Sequence, residues 1–207
     1  MSKTTVIIKT IGRKTLNNAI NSAKLEGFEV IVVSDGAPIP PGGDHTVITL
    51  GKQWGFYGDM AANVGAAISK TEFITFLDDD DEFLPGAGKC IRNKLREDSS
   101  VDIWIGGVQF NKDVQLMDQG KVTYSGRTLA CSSKRGLTPG NVAMPTYRTA
   151  IFGKHPFADR VEPNMLHMTD FIHVLQCSQL GYKVDWFGEA IYRVRPGDTD
   201  RINGRGL

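Results

Sequence analysis

Glu72-Phe73-Ile74-Thr75-Phe76-Leu77-Asp78-Asp79-Asp80-Asp81-Glu82 decides how the rest of the chain is read. Its first half is β-branched and aromatic, the composition of a strand covered on both faces. Its second half is five consecutive acids, whose self-repulsion must be relieved by solvent or by a cation. Phe83-Leu84-Pro85 and a helical stretch follow, so the acids stand at the carboxyl end of a buried strand. Open α/β sheets bind their ligands at that edge. Oxygen-only ligands suit Mg²⁺ or Mn²⁺, and Mg²⁺ is usually held by one or two carboxylates together with substrate phosphates. Taken alone, an Asp-rich loop reads more readily as a solvated turn capping the next helix, and it is the rest of the chain that tips the balance.

Working toward the N-terminus, Thr4–Lys9 and Glu29–Ser34 are short β-branched runs, with Leu16, Ala19, Ile20, Ala23 and Leu25 at helical spacing between them. That is a β-α-β unit, whose two strands lie parallel through a right-handed crossover. The Pro- and Gly-rich segment Ala37–Asp44 is a loop, and Thr46–Leu50 is a third strand. Asp59–Lys70, rich in small residues, is a helix that can pack closely on the sheet. Toward the C-terminus, Ala87–Leu95 reads as a helix and Val101–Gln109 as a strand with a glycine kink. Beyond Asn111 the pattern shortens. Lys121–Tyr124 and Asn141–Tyr147 read as extended, Phe171, Val174, Leu175 and Leu180 mark a helix, and Tyr182–Phe187 and Ala190–Val194 are closing strands. The fold class expected is α/β, a mostly parallel central sheet flanked by helices, with a smaller mixed sheet from the second half.

Bulk properties narrow the function. At 207 residues the chain suits one domain with a sizeable core. A net charge of +1 gives no electrostatic footprint for nucleic acid or an anionic membrane. No apolar stretch approaches the ~20 residues of a membrane span. Cys90, Cys131 and Cys177 are odd in number and too far apart for a paired metal motif, which fits a reducing compartment. The expected location is cytoplasmic, with no integral membrane segment. A homo-oligomer is neither required nor excluded.

Three strand ends then carry polar residues to one sheet edge: Lys9-Thr10-Ile11-Gly12-Arg13, Ser34-Asp35-Gly36 and Asp78–Asp81. Together with Ala62-Asn63-Val64-Gly65, and in this order, these segments resemble the family 2 glycosyltransferases of the GT-A fold. The likeness is strong over the first half and loose over the second. It implies an inverting, metal-dependent enzyme that moves a sugar from a nucleotide-diphosphate donor, a UDP-sugar first among them, to a saccharide or other hydroxyl acceptor. Residues 1–110 would form the donor half and 111–207 the acceptor half of one domain.

The resemblance also implies roles. Asp35 matches the aspartate that accepts a hydrogen bond from the donor's base, with Thr10 and Ile11 flanking that base and Arg13 grouped with them. Asp78-Asp79-Asp80 matches the Asp-X-Asp motif, which groups Asp78 and Asp79 with the donor-binding residues. There Asp80 would hold Mn²⁺ or Mg²⁺ across the diphosphate and Asp78 would lie near the ribose and the metal. Asp81 fixes the loop or caps the next helix. Asn63 either braces the loop or touches the donor. Inversion needs a base for the acceptor hydroxyl, and Met168-Thr169-Asp170 stands where the family carries Glu-Asp, so Asp170 is the candidate, against a plain helix-capping role. Arg195 is either a diphosphate clamp or part of a solvated turn.

The chain also departs from the family pattern. Thr169 replaces an acid, Ser34 replaces the first aspartate of Asp-Asp-Gly-Ser, and Ala62 replaces an arginine. His155, His167 and His173 have no metal-ligand spacing, so packing or helix-end roles suit them. Trp54, Phe56 and Tyr57 either stack on a ligand or pack under their own loop. Two other readings stay open: an inactive nucleotide- or carbohydrate-binding subunit, and a sugar-phosphate nucleotidyltransferase. The latter wants a richer Gly and basic loop than Ile11-Gly12-Arg13-Lys14 offers.

Overall fold

A computed structural model describes residues 3–55, 58–110, 113–115, 121–124, 127–130, 145–157 and 169–194. Strands β1 (Thr4–Thr10), β2 (Glu29–Ser34), β3 (Thr46–Thr49) and β4 (Phe73–Asp78) form a parallel set in the order β3-β2-β1-β4. Every residue of β1 is buried, as a strand covered on both faces requires. Helix α1 (Leu16–Leu25) makes the β1–β2 crossover and buries Ala19, Ile20 and Ala23 on one stripe. Leu25 departs from that stripe and is 85% exposed. Helix α2 (Asp59–Ile68) packs Ala61, Ala62, Gly65 and Ala66 against the sheet. A Cβ on Gly65 would sit 2.4 Å from the Ile7 side chain, so the small residues are what let this helix approach.

The sheet continues past β4 with strands from both halves of the chain. Past β4 the order runs β10 (Thr146–Arg148), β6 (Ile103–Phe110), β11 (Val184–Val194) and β5 (Asp81–Phe83), with β7 (Asp113–Gln115) beside β6. Here parallel and antiparallel pairs mix. Among the described residues β8 (Lys121–Tyr124) and β9 (Arg127–Ala130) stand apart, as a two-stranded ribbon. The two closing strands expected from the sequence are one strand, β11, broken by register shifts between Trp186 and Tyr192. The extra residues of that irregularity lie on β11, and Gly106 of β6 admits it closely, since a Cβ there would lie 2.2 Å from the Ile191 side chain.

Helices α3 (Ala87–Glu97), α4 (Thr149–Lys154) and α5 (Thr169–Gln179) complete the described elements. Phe76 of β4 carries the junction between the halves. Its ring centroid lies 5.1 Å from that of Phe152 on α4 and 5.6 Å from that of Phe157. His173 of α5 packs on the same group, 4.7 Å from Phe152 and 4.8 Å from Phe157. Burying these rings together clamps α5 to the edge of the sheet where β4 ends. Leu180, expected on the apolar face of α5, lies just past its end and is 61% exposed. Among the described residues no helix is long and apolar enough to cross a membrane.

Candidate functional site

Because β1, β2 and β4 run parallel in neighbouring positions, their carboxyl ends share one edge, and the three polar strand ends meet there. Asp79 is 1% exposed and faces inward. Its Oδ2 accepts hydrogen bonds from Thr10 Oγ1 at 2.5 Å, Ile11 N at 3.2 Å and Arg13 N at 3.4 Å. Its Oδ1 pairs with the Arg13 guanidinium at 2.5 Å. Thr10, Ile11, Arg13 and Asp79, all assigned to donor binding from the sequence, are thus first of all bound to one another. Burial disfavours the Arg13 charge, but the Asp79 carboxylate overrides it and holds the guanidinium above its ordinary pKa.

The neighbouring acids form a cluster of their own. Asp78, Asp80 and Asp81 each offer a carboxylate oxygen within 4.8 Å of the others. Three carboxylates so close repel strongly unless countercharge is supplied. Asp81 therefore joins the cluster. It does not cap a helix, since it opens β5 and the residue at the cap of α3 is Gly86. Asp80 is 3.7 Å from Arg13. Asp78 is held by Lys9, whose Nζ is 3.0 Å from Asp78 Oδ1. Lys9 and Asp78 are register partners on adjacent strands, which is what sets them side by side. The Lys9 side chain is only 7% exposed. Burial disfavours its ammonium, yet the carboxylates of Asp78, Asp170 and Asp59 outweigh that and raise its pKa above the usual lysine value.

Asp35, 3% exposed, accepts backbone N–H bonds from Trp54 at 2.8 Å and Gly55 at 2.9 Å, one on each oxygen. Each oxygen retains a further lone pair. The turn behind it depends on Gly36, whose φ is +83° and whose Cβ would lie 2.5 Å from Gln53 N. The segment 52–55 is thereby laid across the end of β2, with Trp54 44% exposed and Lys52 Nζ 4.0 Å over its ring. Asn63 takes up the bracing alternative: its amide donates to Phe157 O at 3.0 Å and accepts from Phe157 N at 2.8 Å.

Asp170, in the first turn of α5, comes close enough to this edge to act on Lys9. Its Oδ1 is shut off from solvent and has no hydrogen-bond partner among the described residues. Burial raises its pKa above the ordinary carboxylate value, Lys9 opposing and Asp78 adding to the shift. One turn further on, His173 fixes the helix. Its Nε2 donates to His155 O at 2.7 Å, so Nδ1 is left to accept from the Tyr147 hydroxyl at 3.2 Å. Burial lowers the His173 pKa, which keeps this tautomer neutral. Arg195, His167, Cys131, Phe56 and Tyr57 lie outside the described residues.

Sequence reasoning passed over Lys9, Asp59 and the place of Asp81. Lys9 carried a signal, a lone charge ending an otherwise uncharged strand. Asp59 carried none, because an acid opening a helix is ordinary.

The family model for glycosyl transferase family 2 matches residues 5–159, three quarters of the chain. The chain belongs to glycosyl transferase family 2. Comparison with curated proteins gives no match. Among solved structures, residues 1–349 of Staphylococcus aureus TarS superpose with a TM-score of 0.66 at 18% identity, over 93% of this chain and 60% of that one. The same TarS fragment in complex with UDP gives 0.68 at 19% identity, over 92% and 60%. Its complex with UDP-GlcNAc gives 0.63 at 18%, over 95% and 60%. This member of family 2 therefore shares the sheet architecture expected of a GT-A fold and spans about three fifths of the TarS fragment.

Proposed function

We propose that this chain transfers a sugar from a nucleotide-diphosphate donor to a hydroxyl acceptor, with inversion and with a divalent ion at the acidic cluster. One observation carries the reading. In a family 2 chain, three carboxylates converge within 4.8 Å at the sheet edge where Asp35 also lies. The donor set is all oxygen, which fits Mn²⁺ or Mg²⁺. Asp80, Asp78 and Asp81 would hold the ion, which when bound neutralises charge growing on the leaving diphosphate.

The protein's own residues supply the rest. Asp79 and Arg13 hold the β1–α1 loop, so that Thr10 and Ile11 present a fixed edge to the base. Asp35 accepts from a ring N–H of that base through its remaining lone pairs, and Trp54 lines the same side. Asp170 takes the proton of the acceptor hydroxyl. Burial suits it to this, because a carboxylate with a raised pKa is a stronger base than a solvated one. Arg195 would clamp the diphosphate, and residues 111–207 would shape the acceptor side. UDP and UDP-GlcNAc, seen with the structurally similar TarS, make uridine donors the first to test.

The test is calorimetric binding of UDP with and without Mn²⁺, followed by release of UDP from UDP-sugars. Wild-type protein should bind UDP more tightly with Mn²⁺, and Asp80→Ala should lose that increment. Equal affinity in both proteins, with or without the ion, refutes the metal assignment. Binding with no UDP release from any donor would make the chain a binding subunit.

A further inference from the structure

Lys9 is a charge that strand β1 has no architectural reason to carry. The other residues of the strand, Thr4–Ile8 and Thr10, are uncharged and buried, and an apolar side chain at position 9 would avoid the cost of burying an ammonium. The surroundings nevertheless form a socket for it. Gly58, at φ +81°, lies against the lysine stem, and a Cβ there would come within 3.2 Å of both Lys9 Cβ and Lys9 Cδ. Beside it stands Asp59, 3% exposed, in the first turn of α2. The ammonium ends 3.0 Å from Asp78 Oδ1.

We propose that Lys9 is a positioning residue of the transfer reaction: it holds the Asp78 carboxylate by one oxygen and so keeps Asp78, Asp80 and Asp81 converged for a divalent ion. Asp78 needs such a tether. Its side chain is 40% exposed, and two like charges within 4.8 Å push it outward. A surface lysine would exchange such a partner for water at little cost. Lys9 is buried and its stem is held by Gly58, so its ammonium cannot swing into water when Asp78 moves, and Asp78 leaves only by giving up a fixed 3.0 Å ion pair. The proposal rests on the metal-dependent donor reading above.

The decisive experiment is a double-mutant cycle on Mn²⁺-dependent UDP affinity, comparing wild type, Lys9→Met, Asp78→Asn and the double variant. Methionine keeps the length of the stem and removes the charge. Lys9→Met and Asp78→Asn should each weaken the Mn²⁺-dependent affinity by ~10–100-fold, the usual cost of losing a partner that orients a metal ligand. If Lys9 acts through Asp78, adding Lys9→Met to Asp78→Asn should cost no more than about threefold further. A merely structural lysine would lower the melting temperature in both backgrounds and show no such coupling. Should Lys9→Met alone fail to fold, Asp78→Asn against the double variant still decides, since neither then carries the unpaired Asp78 charge.

A further loss beyond about tenfold in the Asp78→Asn background overturns the proposal, as does a Lys9→Met protein within about twofold of wild type. Wild-type protein that gains no UDP affinity from Mn²⁺ refutes the donor reading, and the proposal falls with it. A metal-dependent wild type with an uncoupled cycle refutes the proposal alone.

Discussion

Replacing Asp79 by alanine should loosen the edge where β1 and β4 end, because its role there is to bind the loop after β1. The carboxylate is 1% exposed and accepts from Thr10 Oγ1, Ile11 N, Arg13 N and the Arg13 guanidinium. Two of these bonds, at 3.2 and 3.4 Å, are long and count for little. The Thr10 bond contributes about 1 kcal/mol as an ordinary buried bond. Removing one member of a buried ion pair costs ~3–5 kcal/mol. The Arg13 side chain is 25% exposed and can recover some hydration, which places that contribution at the lower end. A total near 3–4 kcal/mol follows, or a fall in melting temperature of roughly 6–16 °C for a chain of this size. Urea unfolding with a linear extrapolation measures it directly. Asp79→Asn keeps the shape and one acceptor oxygen, so it should lose about half as much. A loss under about 1 kcal/mol for Asp79→Ala would refute the assignment. Wild-type stability combined with abolished UDP binding would return Asp79 to the ligand.

Asp170→Asn should cut turnover by ~10²–10⁴-fold while donor affinity holds, and normal turnover would leave Asp170 a helix cap. Because burial raises its pKa above the ordinary carboxylate value of 3.8, the acid limb of wild-type turnover should lie above pH 3.8 and vanish in the Asn variant. The same shift means the native state binds more protons than the unfolded chain between 3.8 and the raised value. Stability should therefore fall as pH rises through that window, and by less in Asp170→Asn, as pH-dependent unfolding would show. Asp35→Ala releases the Trp54 and Gly55 N–H groups and should weaken uridine donor binding by about 1–3 kcal/mol; unchanged dissociation constants would make Asp35 a turn residue. Gly36→Ala places a methyl 2.5 Å from Gln53 N at a positive φ, so it should destabilise the protein by at least ~1 kcal/mol and displace the 52–55 segment, read by urea unfolding and Trp54 fluorescence. A variant as stable as wild type would mean the turn yields.

The order of β1, α1, β2, β3, α2 and β4 was legible because each is a local pattern: β-branched runs, a 3.6-residue stripe, glycines and prolines between them. Those runs sit within a residue or two of their observed bounds. Parallel pairing then brings the strand ends to one edge without any further information, so the location of the candidate site follows from the chain order alone. The choice among the four aspartates does not. Residues 78–81 look alike in sequence, and which of them binds the loop after β1 depends on Thr10, Ile11 and Arg13, sixty-six to sixty-nine positions away. The same holds for Asn63, whose partner Phe157 lies 94 residues on, and for Asp170, which reaches Lys9 only because Phe76, Phe152 and His173 pack α5 against the end of β4. Backbone pattern is a property of neighbours along the chain. The partner of a buried charge is a property of neighbours in space, and only the folded chain sets those.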